Sequence, residues 1–212
     1  MPVKADKRLP VTLITGYLGA GKTTLLNALL KDASTGPVAV LINEFGDVGL
    51  DHDLIVESTE EMVLLESGCM CCAVRGDLTR ALTDLAARRK AGQAKFDRVV
   101  IETSGLADPG PILHTLLVEK PLAEAYRMDG VVTLADAAHG PATLDKGFEA
   151  VAQVAMADLI VVTKADLVSA EALAGFQKRL KTIAPTARQI LAERGQVPAG
   201  ALFGLGRSEE HT

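Results

Sequence analysis

The sequence predicts an α/β domain in which a mostly parallel central sheet carries helices on both faces. Three observations point to it. Apolar, β-branched runs at residues 11–15, 38–42, 98–102, 130–134 and 159–163 alternate with helical patterns, the order that a parallel sheet with crossover helices requires. The runs are apolar almost without interruption, so both of their faces need cover. At 212 residues, 48% hydrophobic and 23% charged, the chain is long enough to bury a sizeable core.

Each element has its own signal. Residues 11–15 form the first buried strand, and residues 22–31 follow as a helix with Leu25, Leu26, Leu29 and Leu30 at helical spacing. Residues 38–42 are the second strand. Residues 43–53 are polar and Gly-rich and read as a long loop, around which the apolar runs 54–56 and 62–65 are expected to pair. Residues 77–89 are amphipathic, with Leu78, Ala81, Leu82 and Leu85 on one face. After the strand at 98–102, Pro109 and Pro111 open a helix carrying Ile112, Leu113, Leu116 and Leu117; proline's fixed φ suits a first helical turn. His114 lies in that apolar pattern and is expected to be partly buried; His139 follows Asp136 near a helix start. Strands at 130–134 and 159–163 follow, and Ser169 is placed to cap a helix running through Leu180. Residues 1–212 read as a single domain.

Composition removes several classes of function. A net charge of −5 argues against non-specific binding to nucleic acid or anionic membrane. The 3% aromatic content and the absence of Trp argue against a base-stacking platform. No apolar run approaches the ~18 residues of a spanning helix. The polar N-terminus has no apolar h-region, so no signal peptide is read. An odd number of thiols without an export signal predicts a reducing, cytoplasmic setting.

Gly16-Tyr17-Leu18-Gly19-Ala20-Gly21-Lys22-Thr23 matches the G-x-x-x-x-G-K-[ST] phosphate loop, and it lies between a strand and a helix as the pattern demands. Gly16, Gly19, Ala20 and Gly21 let successive backbone N–H groups wrap phosphates, and Thr24 continues that wrap into the helix N-terminus. Lys22 reaches the β- and γ-phosphates, and Thr23 offers its hydroxyl to Mg²⁺. Glu102 ends the strand at 98–102, where a second Mg²⁺ contact belongs, and Gly105 is placed to donate its N–H to a γ-phosphate. Lys22, Thr23 and Glu102 are therefore the expected catalytic residues of a P-loop NTPase.

Thr163-Lys164-Ala165-Asp166 follows another strand. The Asp166 carboxylate suits the N1–H and N2–H₂ donors of guanine, which adenine lacks, so GTP is the expected nucleotide. Lys164 extends its stem along the base plane. The usual pattern begins with Asn; the shorter Thr163 is expected to forfeit a contact to the base or to the phosphate loop.

All three cysteines fall within four residues, Cys69-Met70-Cys71-Cys72. Taken in order, the phosphate loop, Asn43-Glu44-Phe45-Gly46-Asp47, Glu66-Ser67-Gly68-Cys69-Met70-Cys71-Cys72, Glu102-Thr103-Ser104-Gly105 and Thr163-Lys164-Ala165-Asp166 resemble the GTPase domain of CobW-type metallochaperones, in the CobW/HypB/UreG family of P-loop GTPases. The resemblance implies a cytoplasmic GTPase that carries Zn²⁺ or Co²⁺ to a metal-receiving target protein, as a monomer or as a nucleotide- or metal-dependent homodimer. It also implies a smaller C-terminal domain, which is expected to be absent from this chain.

The thiol chemistry stands beside that resemblance. Thiolates bind metal, so affinity is expected to rise with pH. Sulfur from Cys69, Cys71 and Cys72 suits Zn²⁺ or another borderline-soft ion. A tetrahedral shell needs a fourth ligand, which water, Glu44, His52 or a target residue would supply. Because the cysteines and residues 43–53 stand between the phosphate loop and Glu102, GTP is expected to order the loop and gather the thiolates, and hydrolysis to release them. No catalytic Gln or arginine finger stands out; Asp47, Asp51 or a residue near Ser104 is the expected water-orienting group. The alternatives are a P-loop kinase or ATPase with structural cysteines, and a non-enzymatic zinc buffer or sensor.

Overall fold

The computed structural model describes residues 6–44, 62–66 and 73–207. The cysteines, His52, His211, the run 54–56 and all but the first two residues of the expected loop at 43–53 lie outside them. Among the described residues seven strands form one sheet in the order β3-β2-β4-β1-β5-β6-β7. The strands are β1 (Leu9–Gly16), β2 (Val38–Glu44), β3 (Met62–Glu66), β4 (Arg98–Thr103), β5 (Tyr126–Asp136), β6 (Leu159–Thr163) and β7 (Arg188–Leu191). Every neighbouring pair is parallel. Their C-terminal ends therefore meet along one edge, where open α/β sheets bind ligands.

Strand alternation divides the core. Val11, Leu13, Ala39, Leu41, Val99 and Ile101 face α2 (Ala73–Lys90), α3 (Gly110–Val118) and α4 (Lys120–Ala125), meeting Leu82, Leu85, Leu116 and Leu122. Their sequence neighbours Ile14, Val40, Ile42 and Val100 point the other way, onto Leu25, Leu26 and Leu29 of α1 (Lys22–Lys31). Ala135, Ile160 and Val162 meet α5 (Gly140–Lys146), α6 (Phe148–Ala155) and α7 (Ala170–Ile183) through Leu144, Val154, Phe176 and Leu180. Each fully buried Leu or Ile contributes about 1.5–3 kcal/mol of transfer free energy. The expectation of a sheet covered on both faces holds.

Several elements differ from the sequence reading. The 62–65 run is β3 and pairs in parallel with β2, Val40 opposite Met62 and Glu44 opposite Glu66; its expected pairing with 54–56 lies outside the described residues. The strand expected at 130–134 runs from Tyr126 to Asp136. Its charged start is tolerated because Asp129, 2% exposed, accepts the Gly204 N–H at 2.8 Å. Helices α4 and α6 and strand β7 have no counterpart in the sequence reading, while α5 begins where that reading places a helix start, next to His139. Proline sits in the first turns of α4 and α5, where it reads as a turn, and β7 is four residues with no clear alternation. His114 is exposed rather than partly buried, because α3 turns Ile112, Thr115 and Leu116 inward instead. Ser169 caps α7 as expected, accepting from the Ala172 N–H at 3.2 Å.

Candidate functional site

The site is built along the C-terminal edge, from β1 outward. Gly16 closes β1 with φ 139°, and a Cβ there would stand 2.5 Å from the Leu134 carbonyl oxygen. That close approach explains the glycine better than flexibility does. The chain then turns through Tyr17, whose carbonyl accepts from the Ala20 N–H at 3.1 Å. Gly21, at φ 96°, launches α1. The Lys22 side chain is buried, and its Nζ donates to the carbonyls of Gly16 at 2.8 Å and Tyr17 at 3.3 Å. The ammonium is thus folded over the loop that its own helix begins.

Thr23 Oγ1 donates to Glu102 Oε1 at 3.3 Å. Glu102 is 6% exposed and reaches this point because Ile14 of β1 pairs with it in register. A hydroxyl and a buried carboxylate in contact form a pair of hard oxygen donors, the set that a small divalent cation takes. Glu102, one methylene longer than Asp, still spans the gap to Thr23. Beside it the Thr103 hydroxyl donates to Thr15 Oγ1 at 2.9 Å. Gly105 lies directly against the phosphate loop: a Cβ on it would stand 2.5 Å from the Leu18 backbone nitrogen.

On the other side of the loop, Thr163 Oγ1 donates to the Ala20 carbonyl at 2.9 Å, a buried contact. This corrects the expectation for Thr163 in part. The phosphate-loop contact is kept, because β6 ends close enough for a short hydroxyl to reach where a longer amide would otherwise be needed. Lys164 adopts a left-handed backbone, φ 55°, and its Nζ donates to Asp136 Oδ2 at 2.8 Å. Asp166 lies exposed in the short turn Ala165–Leu167.

Two features of the site were not read from the sequence. The first is Asp136, at the end of β5 opposite Thr163. Its carboxylate accepts from the backbone N–H groups of Ala138 at 2.8 Å and His139 at 3.1 Å, and His139 Nδ1 stands 3.1 Å away. Burial pushes its pKa up, but hydrogen bonds from Lys164, His139 and Ala138 outweigh burial and hold it below the ordinary value. The second is the loop after β7. Glu193 and Gln196 exchange backbone hydrogen bonds at 3.0 Å each, with Arg194 and Gly195 at positive φ between them. Gly195 packs on α1, where its Cβ would meet Thr24 Cγ2 at 3.1 Å. An Arg-Gly pair after a short apolar run is a turn signal, but nothing local says which helix the turn meets.

The structure therefore brings Gly16, Gly19, Ala20, Gly21, Lys22, Thr23, Thr24, Glu102, Gly105, Thr163, Lys164 and Asp166 to one edge of the sheet. Glu44 ends β2 on that edge. Cys69, Cys71 and Cys72 belong to the segment between the end of β3 at Glu66 and the start of α2 at Ala73, outside the described residues. Among the described residues no group of three or more His, Cys, Asp or Glu is arranged to hold a metal. No described helix is long and apolar enough to cross a membrane.

Comparison with known proteins places the chain among relatives. Residues 10–191 match the model of the CobW/HypB/UreG nucleotide-binding domain. The chain is 40% identical over 196 residues to the zinc chaperone YjiA of Escherichia coli, covering 92% of this chain and 61% of that protein. It is 35% identical over 245 residues to the zinc chaperone CobW of Pseudomonas aeruginosa, covering 99% of this chain and 63% of that protein. The crystal structure of Zn(II)-bound YjiA GTPase from E. coli superposes with a TM-score of 0.75 at 33% identity, over 94% of this chain and 62% of that one. The chain thus spans about three fifths of these relatives' length. HypB from Helicobacter pylori in complex with nickel, at 18% identity and a TM-score of 0.62, shares the fold.

Proposed function

This chain belongs to the CobW/HypB/UreG family of nucleotide-binding domains, and we propose that it binds and hydrolyses GTP to control a transition metal held by Cys69, Cys71 and Cys72. The cargo we assign is Zn²⁺ in preference to Co²⁺, in keeping with the names of the relatives, and the receiver is a target protein. The free thiols suit a reducing, cytoplasmic compartment. The observation that carries the nucleotide half is the meeting of Lys22 and Thr23, at the end of the phosphate loop, with Glu102 of β4, the Thr23–Glu102 contact being 3.3 Å.

Each residue then has a chemical task. Lys22 gives up the carbonyls of Gly16 and Tyr17 for the β- and γ-phosphates, a stronger, charge-assisted partner. The loop N–H groups and the α1 N-terminus hold the remaining phosphate oxygens. Thr23 and Glu102 are the oxygen donors that fit Mg²⁺, which when bound supplies neutralising charge to the phosphates. Gly105, already against Leu18, presents its N–H to the γ-phosphate. Asp166 accepts from guanine N1–H and N2–H₂, and the Lys164 stem lies along the base. Glu44, on the same sheet edge, is the proposed fourth metal ligand.

The test is a titration of Zn²⁺ and Co²⁺ into the purified chain with a non-hydrolysable GTP analogue, with GDP and without nucleotide. Metal is expected to bind roughly 5–150-fold tighter in the GTP-like state, and Cys71→Ala to abolish the difference. Equal metal affinity in all three states would sink the coupling, and undetectable GTP hydrolysis with tight Zn²⁺ binding would replace the enzyme with a zinc buffer.

A further inference from the structure

A glutamine outside the nucleotide motifs holds the loop that follows β4. Gln153 lies in α6 and is 1% exposed. Its Nε2 donates to the carbonyls of Gly105 at 3.2 Å and Ala107 at 3.0 Å. Both partners are acceptors, so the orientation of the amide is determined: only the NH₂ end satisfies them, and both of its hydrogens are used. The helix is itself anchored at this residue, because Thr133 Oγ1 of β5 donates to the Gln153 carbonyl at 2.8 Å. The loop has weak support of its own. The Ala107 N–H reaches the Ser104 carbonyl at 3.1 Å and the Leu106 N–H reaches Ser104 Oγ at 3.3 Å, while the Leu106 side chain is 49% exposed.

We propose that Gln153 is the positioning residue of the γ-phosphate sensor. By binding the carbonyls of Gly105 and Ala107 it keeps Gly105 against Leu18 of the phosphate loop, and it carries any movement of that loop into α6. The proposal rests on the GTP reading above. The geometry sets its sign. Gly105 abuts the loop backbone so closely that only a glycine fits, so the arrangement Gln153 holds keeps this residue against the phosphate loop, where the GTP reading puts the γ-phosphate. Without Gln153 the loop samples other arrangements, and a γ-phosphate must first gather it, which lowers apparent affinity by the competent fraction. A diphosphate makes no such demand. Helix α6 begins at Phe148, which is 79% exposed, so a shift passed through Gln153 reaches the protein surface.

The test is Gln153→Met in the full chain, which keeps length and volume and removes both donors. Affinities for GDP and for a non-hydrolysable GTP analogue are measured by titration, with kcat and KM for GTP. The expected result is a loss of about 5–150-fold for the analogue, the scale of two buried hydrogen bonds, with GDP affinity within about twofold of wild type on the same reasoning. Hydrogen exchange on the wild-type chain is the second arm and needs no variant: protection of residues 151–156 is expected to differ between GDP and the analogue. Equal losses for GDP and analogue, tighter analogue binding, or exchange in α6 that ignores the γ-phosphate would each overturn the proposal. Failure of the wild-type chain to bind guanine nucleotides at all would instead remove the functional reading on which it rests.

Discussion

Replacing Thr163 by Val tests how this chain anchors its phosphate loop. The substitution is nearly isosteric and deletes one atom's chemistry, the hydroxyl that donates to the Ala20 carbonyl at 2.9 Å. Thr163 is 5% exposed and Ala20 is 1% exposed, so water does not readily replace the lost donor. A net neutral hydrogen bond is worth about 0.5–1.5 kcal/mol, and a buried acceptor left unpaired costs about 1–3 kcal/mol. Taking the middle of that range, the expected loss is about 2 kcal/mol of stability. For a chain of this size that is a fall in Tm of about 4–8 °C, read by calorimetry or circular dichroism on the nucleotide-free protein. Thr163→Ser keeps the hydroxyl and is expected to lose under about 1 kcal/mol, the transfer value of one methyl group. Because the anchor acts on the loop and not on the γ-phosphate, GDP and GTP are expected to weaken together by a similar factor. A Thr163→Val protein that melts within a degree of wild type would refute the reasoning, as would equal losses for Ser and Val.

Gly105→Ala is expected to strain the phosphate loop, since the new methyl would stand 2.5 Å from the Leu18 nitrogen. Forced shifts of this kind cost about 1–3 kcal/mol, read as a lower urea midpoint together with weaker binding of the GTP analogue. Asp136→Asn probes a carboxylate whose folded pKa lies below its ordinary value of 3.8. Depression means that its stabilisation is fully present above the unfolded pKa and is lost as the pH falls through the lower folded one. The variant is therefore expected to be destabilised at pH 7 and to converge on wild type once the pH has fallen through that lowered folded value, with urea midpoints across an acid pH series as the measurement.

The phosphate loop was legible from residues alone, and so were most of the elements around it. A P-loop works through the backbone of eight consecutive residues, Gly16 to Thr23, so its pattern is contiguous and local. The buried strands announce themselves because they are apolar on both faces. Elements without such a signal were missed or read only at their start. Strand β7 is short and half-exposed, and it forms because β6 offers an unpaired edge, with Leu159 to Val162 meeting Arg188 to Leu191. Helix α5 is seven residues with Pro141 in its first turn, and it is held by Leu144 against Phe176 and its neighbours.

What the sequence determined on its own, then, is the chemistry available: a phosphate loop, an acid at a strand end, a carboxylate in the Thr163-Lys164-Ala165-Asp166 turn, and three thiols. What only the tertiary structure decided is how those pieces hold one another. Thr163 meets Ala20 across 143 residues of chain, Gln153 meets Gly105 across 48, and Lys164 meets Asp136 across 28. No periodicity or motif encodes such pairs, because each exists only when parallel strands bring their C-terminal ends to a common edge. The departure from Asn at Thr163 looked like a loss in one dimension. In three it is a shorter side chain that still reaches its acceptor, because β6 ends within hydrogen-bonding distance of the loop.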